Sequence, residues 1–198
     1  MDIEVRPATE FEDVATLLSP KDRTKQSCWC LSYRLAYPER RAMTGLDQAA
    51  YVAGLCTRTP APGVVAYEGE TPVGWAGVAP RDELHAFTHG RVIPRVDDLP
   101  VWSAWCFKVR GGHRKRGIAH ALLAGAVAFA RENGAPAIEG YPVDTGGGRT
   151  DPISAFVGTR RMFERAGFEK AADTDSTRGE FRRVLMRLAL RPGVGARG

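Results

Sequence analysis

The densest run of chemistry-bearing residues is Arg114-Lys115-Arg116-Gly117-Ile118-Ala119, preceded by Gly111-Gly112. The paired glycines let the backbone turn tightly. A helix starting at Gly117 would present unpaired N–H groups and a partial positive charge at its first turn. Consecutive amides of this kind can wrap a diphosphate, and Arg114, Lys115 and Arg116 would add full charges around it. Gly117 and Ala119 are small enough for an anion to approach the main chain. Two readings stay open from these residues alone: a phosphate cradle, and an ordinary basic loop capping a core helix. The loop carries neither the Gly-x-Gly-x-x-Gly of a dinucleotide fold nor the Gly-Lys-Ser/Thr of a Walker loop.

Other chemistry-bearing residues point less clearly to a site. Cys28-Trp29-Cys30 has one residue between its thiols, where a zinc knuckle or redox pair has two, and no second pair lies nearby. His85 and His89 share helical spacing but lack an obvious third ligand, so they read as surface histidines and no metal is expected. The 198-residue chain carries 28 basic and 23 acidic residues, a net charge of +5. That mild excess is concentrated at residues 113–116 and at Arg160-Arg161. A basic patch can serve any polyphosphate, and the aromatic interleaving of an RNA-binding sheet is missing, so no nucleic-acid partner is expected. No apolar run approaches the ~20 residues of a membrane span. The start, Met1-Asp2-Ile3-Glu4-Val5-Arg6, lacks a signal-peptide layout. A cytoplasmic chain with reduced thiols, and no membrane partner, is the expectation.

The elements that must position the basic loop follow from pattern. Ile3-Glu4-Val5-Arg6 alternates as a strand, and residues 11–18 have helical spacing with Thr9 as a candidate cap. Residues 19–45 suggest helix fragments and loop. Thr44-Gly45-Leu46-Asp47 resembles a capping box opening a helix to about Cys56. Residues 64–68 and 72–78 flank Gly69-Glu70-Thr71 as a β-hairpin. Residues 81–100 are polar and proline-spaced, as in a surface excursion, and 101–109 read as a central strand. Residues 117–133 form the clearest helix, with an apolar stripe at Ile118, Leu122, Ala126 and Phe129, stopped by Asn133-Gly134. A strand over 137–143, a glycine-rich loop over 145–151, a helix from Gly158 to Ala166 and a closing strand pair follow. The expected fold is a single α/β (α+β) domain over residues 1–190, its mixed, mostly antiparallel sheet of six to seven strands carrying helices on both faces. Residues 191–198 would be a frayed tail.

The run Val109-Arg110-Gly111-Gly112-His113-Arg114-Lys115-Arg116-Gly117-Ile118-Ala119 resembles motif A of the GNAT N-acetyltransferase superfamily. That motif ends in Arg/Gln-x-x-Gly-x-Gly/Ala, met by Arg114, Gly117 and Ala119. The hairpin over 63–78 is similar to that family's second and third strands, and Met162-Phe163-Glu164-Arg165-Ala166-Gly167-Phe168 to its late helix and Gly-Phe. Residues 102–109 and Glu139-Gly140-Tyr141-Pro142-Val143-Asp144 resemble a bacterial branch of the superfamily. The resemblance implies acetyl-CoA as co-substrate, with its pyrophosphate on the amides of residues 114–119 and its pantetheine arm beside Phe107, Lys108 and Val109. It implies a slot opened where this strand splays from the strand over 137–143, and an amine acceptor attacking the thioester directly. Phe163 falls in the coenzyme-binding set, at the place where the family often has a tyrosine acid.

On that resemblance, Glu139 is the candidate base and Tyr141 the candidate acid; alternation puts them on one strand face. Asp144 is a second candidate base. Cys106 reads as packing rather than as a covalent nucleophile. Trp29, Tyr33 and Trp75 are candidates for the acceptor pocket, Trp75 more as core filling. The acidic Glu39, Asp47, Asp97 and Asp98 could attract a cationic amine. A CoA-binding regulatory module with little catalysis is the alternative function, supported by the phenylalanine at 163. Oligomeric state, a homodimer included, stays open.

Overall fold

The computed structural model describes residues 2–148 and 154–190; the glycine-rich loop beyond residue 148 and the tail from 191 lie outside them. Seven strands form one sheet: β1 (Ile3–Pro7), β2 (Gly63–Glu68), β3 (Thr71–Pro80), β4 (Trp102–Val109), β5 (Ala137–Gly140), β6 (Glu169–Arg178) and β7 (Phe181–Ala189). Their order is β1-β2-β3-β4-β5-β7-β6. Every pairing is antiparallel except β4 with β5. This is the mixed, mostly antiparallel sheet expected, with β4 at its centre.

Among the described residues, six α-helices flank it: α1 (Phe11–Leu18), α2 (Tyr37–Ala42), α3 (Gly45–Cys56), α4 (His85–Thr88), α5 (Ile118–Glu132) and α6 (Arg160–Arg165). The cap of α1 is Glu10, not Thr9. The capping box on α3 is complete: Asp47 N–H donates to Thr44 Oγ1 at 3.1 Å, and Thr44 N–H donates to Asp47 Oδ2 at 2.8 Å. The stripe Ile118, Leu122, Ala126 and Phe129 is buried against one sheet face, together with Phe107, Phe163 and Phe168. Residues of α1, α3 and α4 pack with Trp29, Trp75 and Trp105 on the opposite face. Helices therefore cover both faces.

Two features of β4 shape everything beyond it. Gly77 pairs with Cys106 but Val78 pairs with Ala104, so Trp105 is an extra residue, a β-bulge that bends the strand. The bulge also resets the alternation of side chains. Trp102, Ala104, Phe107 and Val109 pack toward α5, while the consecutive Trp105 and Cys106 both lie toward the other core. The second feature is the short run shared with β5, only Trp102↔Ile138 to Ala104↔Gly140. Past that point the strands part.

The segment 81–100 is not the polar surface excursion its composition suggests. A 3-10 turn (Arg81–Glu83) and α4 bury Arg81, Leu84, Phe87 and Ile93. The anchor is ionic. Arg81 Nη1 donates to Glu139 Oε2 at 2.8 Å, and its Nη2 donates to the carbonyls of Phe87, Ile93 and Pro94 at 3.2–3.4 Å. Arg187 Nη2 donates to Glu139 Oε1 at 2.6 Å and pairs with Asp97 as well. Proline spacing hides such an anchor because the partners come from distant strands.

Candidate active site

The basic loop closes as a cradle whose shape is set by its dihedrals. Gly112, Lys115 and Gly117 have φ of 83°, 62° and 80°, and Gly117 caps α5 with no side-chain hydrogen bond. The first amides bonded to the Gly117 carbonyl are those of His120 and Ala121. The amides of Gly117, Ile118 and Ala119 thus point out of the helix end, where a partial positive charge accumulates.

A cleft of about 470 Å³ opens at this point. Its lining takes in Arg114, Lys115, Gly117, Ile118 and Ala119 from the cradle and Phe107, Lys108 and Val109 from β4. The far wall is Phe156, Gly158 and Met162. Sequence reasoning expected residues 137–143 to form that wall. Instead the chain at 157–160 runs beside Val143: Val143 N–H donates to the Gly158 carbonyl at 3.1 Å and Arg160 N–H to the Val143 carbonyl at 2.9 Å. Pro142 cannot donate a ladder bond, and β5 ends at Gly140. Nothing in the local pattern after the glycine-rich loop signals that Phe156 returns to the cleft. His113, part of the basic run, also lies in the lining, as does His120, which the sequence did not single out.

Several expected residues sit elsewhere. The Arg116 side chain turns away from the cleft to pair with Glu68, which His113 Nδ1 also meets at 3.1 Å. Phe163 is 0% exposed. Its ring packs on Gly140 and meets Phe107 and Phe168 edge-on, with centroids 6.0 and 4.9 Å away. It supports the cleft from beneath, while its neighbour Met162 lines it.

Glu139 and Tyr141 are brought together, but away from the cleft. Tyr141 Oη donates to Glu139 Oε2 at 3.1 Å and shares a 2.7 Å hydrogen bond with Ser103 Oγ. Both residues are 0% exposed. Both Glu139 oxygens are engaged by arginines, and Glu139 is not among the residues lining the cleft. Burial, then the Glu139 charge, raises the Tyr141 phenol above its ordinary range. Asp144 is bound to Arg160 at 2.8 Å, which together with the Gly146 amide holds its carboxyl below the usual range.

A second cavity of about 530 Å³ adjoins the first and shares Phe107, Lys108 and Phe156 with it. Cys28, Cys30, Ser32, Tyr33, Cys106 and Arg178 complete its lining. Of the three aromatic residues proposed for an acceptor pocket, Tyr33 lies here. Trp29 and Trp75 are core residues. Among the four acids, Asp97 is paired with Arg187 and Asp47 serves the α3 cap; none lines the cavity. The Cys106 thiol is held well above its ordinary range by its hydrogen bond with Cys30 and by burial, so it stays protonated. Among the described residues, no cluster of three or more metal-binding side chains occurs. No helix there is long and apolar enough to cross a membrane.

Comparison with known proteins accords with this geometry. An N-acetyltransferase from Staphylococcus aureus Mu50 is 16% identical, with a TM-score of 0.56 over 96% of this chain and 100% of that one. YncA from Salmonella typhimurium, solved with its cofactor acetyl-CoA, is 14% identical with a TM-score of 0.57, covering 99% and 98%. The PaiA N-acetyltransferase of Thermoplasma acidophilum, in complex with coenzyme A, is 13% identical with a TM-score of 0.52, covering 96% and 99%. At such identities the likeness speaks for the fold. No curated protein sequence matches the chain. A family model does, over residues 28–144, which span the hairpin, the bulged strand and the whole cradle: the chain belongs to the acetyltransferase (GNAT) family.

Proposed function

We propose that this protein moves an acetyl group from acetyl-CoA to a primary amine. The observation that carries the reading is a cation-flanked, uncapped start of α5 continuous with a cleft along β4, which opens into a second cavity. A nucleotide thioester fits these residues. The amides of Gly117, Ile118 and Ala119, with Arg114 and Lys115, suit its diphosphate. Beyond Ala104, the β4 edge facing away from β3 has no strand partner among the described residues, so it can pair with an amide-bearing arm as an added strand would.

When bound, acetyl-CoA supplies an activated acyl group, and a thiol pKa near ~8.5 lets the thiolate leave at modest cost. The chain's own contribution is positioning and polarity. Lys108 and Phe107, shared by both cavities, set an amine beside the acyl group, and a main-chain N–H in 107–109 serves the oxyanion. With Glu139 and Tyr141 sealed in their ionic knot, the amine's proton passes to water in the second cavity. A cytoplasmic setting suits the four free thiols.

The burial of both expected proton carriers favours a second reading, a CoA-binding module without turnover. Calorimetric titration with acetyl-CoA, followed by a mass-spectrometric screen for acetylated amines, separates the two. Binding with transfer supports the enzyme, binding without transfer across a broad panel supports the module, and no binding refutes both.

A further inference from the structure

The second cavity has a charge pattern that identifies its occupant. Among the described residues, its lining holds two cationic side chains, Lys108 and Arg178, and no carboxylate. Neither cation forms an ion pair among the described residues. Arg178 instead lies over the Phe156 ring, 4.8 Å from its centroid. That stacking holds the guanidinium against a wall that both cavities share.

A third cation, Arg183, is bonded to the lining residue Tyr33. Arg183 is 5% exposed. It donates to the Tyr141 carbonyl at 2.7 Å, to Tyr33 Oη at 3.0 Å and to Ser176 Oγ at 3.5 Å. All three partners are neutral, its Nη2 has no hydrogen-bond partner among the described residues, and the guanidinium lies 5.8 and 5.9 Å from the ring centroids of Tyr33 and Tyr141. A buried charge without a counter-ion is costly. Elsewhere this chain avoids that cost: the buried Arg81 has Glu139 and the buried Arg34 has Glu83. Arg183 does not line the cavity but donates to Tyr33, which does, so a positive charge with no carboxylate partner among the described residues lies one side chain behind the lining.

We infer that the acceptor is a small primary amine bearing an anionic group, seated in this cavity with the anion toward Arg178 and the amine toward Lys108 and the Phe107 wall. This rests on the acetyl-transfer reading above and specifies its substrate class. A polyamine or basic peptide would bring like charge to a cationic wall. An anionic amine supplies the missing counter-ion, and the same positive surroundings disfavour its ammonium form, which must lose a proton before attack. In the transfer the amine nitrogen bonds to the acetyl carbon, the carbon–sulfur bond breaks, CoA leaves as the thiolate, and one proton passes to water. The cavity volume of about 530 Å³ suits a free small molecule.

The test uses the full chain, saturating acetyl-CoA and matched acceptors. β-Alanine, 2-aminoethylphosphonate and propylamine form one set; phenylalanine and phenethylamine another; cadaverine stands for polyamines. Products are read by mass spectrometry and acetyl-CoA binding by calorimetry. We expect the anionic members to exceed their partners lacking an anionic group at least tenfold in kcat/KM, with the first set separating carboxylate from phosphonate. Arg178→Glu should raise KM for the anionic acceptor tenfold or more and leave the acetyl-CoA Kd within twofold, because Arg178 is outside the coenzyme cleft; Arg178→Lys should recover most of the loss. Equal or better use of propylamine or cadaverine overturns the inference, as does transfer to other acceptors with none to any anionic member. Absence of acetyl-CoA binding, or binding with no transfer to any acceptor of the panel, overturns instead the reading on which it rests.

Discussion

Gly117 allows the anion cradle to be tested quantitatively, because strain and charge can be separated there. A Cβ at this position would meet no atom within 4 Å, so substitution adds no clash. The φ of 80° does add strain, about 1–2 kcal/mol for an L-residue in the left-handed region. For a domain of this size that lowers Tm by about 2–8 °C. Gly117→Ala should show this loss of Tm and little else. Gly117→Glu carries the same strain plus a negative charge beside the diphosphate. At about 6 Å, one charge pair costs about 0.7 kcal/mol in water and about 3 kcal/mol at an effective dielectric near 20. The loop is solvent-facing and the ligand presents two phosphoryl charges, so about 1.5–3 kcal/mol is expected, roughly a 10- to 150-fold rise in the acetyl-CoA Kd. Calorimetry of both variants, at low salt and at 0.5 M salt, reads this out. The glutamate penalty should shrink at high salt as screening sets in. A folded Gly117→Glu protein binding like the alanine variant would remove the diphosphate from this helix end.

Three further outcomes are expected. Glu139→Gln leaves Arg81 and Arg187 without their shared counter-ion, and breaking such a buried pair costs about 3–5 kcal/mol; denaturant melts should show it, and a stable variant with an altered pH–rate profile would restore Glu139 to the chemistry. Gly140→Ala would put a Cβ 2.0 Å from Phe163 Cε1, an overpacking cost of about 1–3 kcal/mol or more. Phe163→Leu in the same chain should recover part of that loss in a thermal melt, and no recovery would deny the contact its importance. Cys106→Ser should keep transfer within a few-fold, since a thiol held protonated by Cys30 is a poor nucleophile; abolished transfer with an acetylated Cys106 in the parent, seen by mass spectrometry, would establish a covalent route.

Much of this architecture was legible in the chain because it depends on local rules. The α3 capping box, the hairpin turn and the α5 stripe each follow from side chains a few residues apart. The cradle was legible for the same reason: glycines and cations fall together just before a helical period. What failed depends on side chains meeting across the sheet. Glu139 alternates like a solvent-facing residue, yet Arg81 and Arg187 reach it from 58 and 48 positions away. Arg116 looks like its neighbours in the basic run, but the hairpin supplies Glu68 to hold it back. Phe156 and Arg178, which complete the two cavities, come from segments whose pattern carries no sign of a pocket.

The extra residue at Trp105 acts on β4 as a change of reading frame. Downstream of it, odd and even positions exchange sides, and this exchange sends the Lys108 ammonium to the cavity rather than toward the apolar packing of α5. Deleting one residue from β4 ahead of Phe107 would therefore do more than shorten a strand. The Phe107 ring would lose its contact with Phe163, and a lysine would be driven toward greasy surroundings. The loops around this strand can change length without such an inversion, whereas its own residue count decides which molecule meets which side chain.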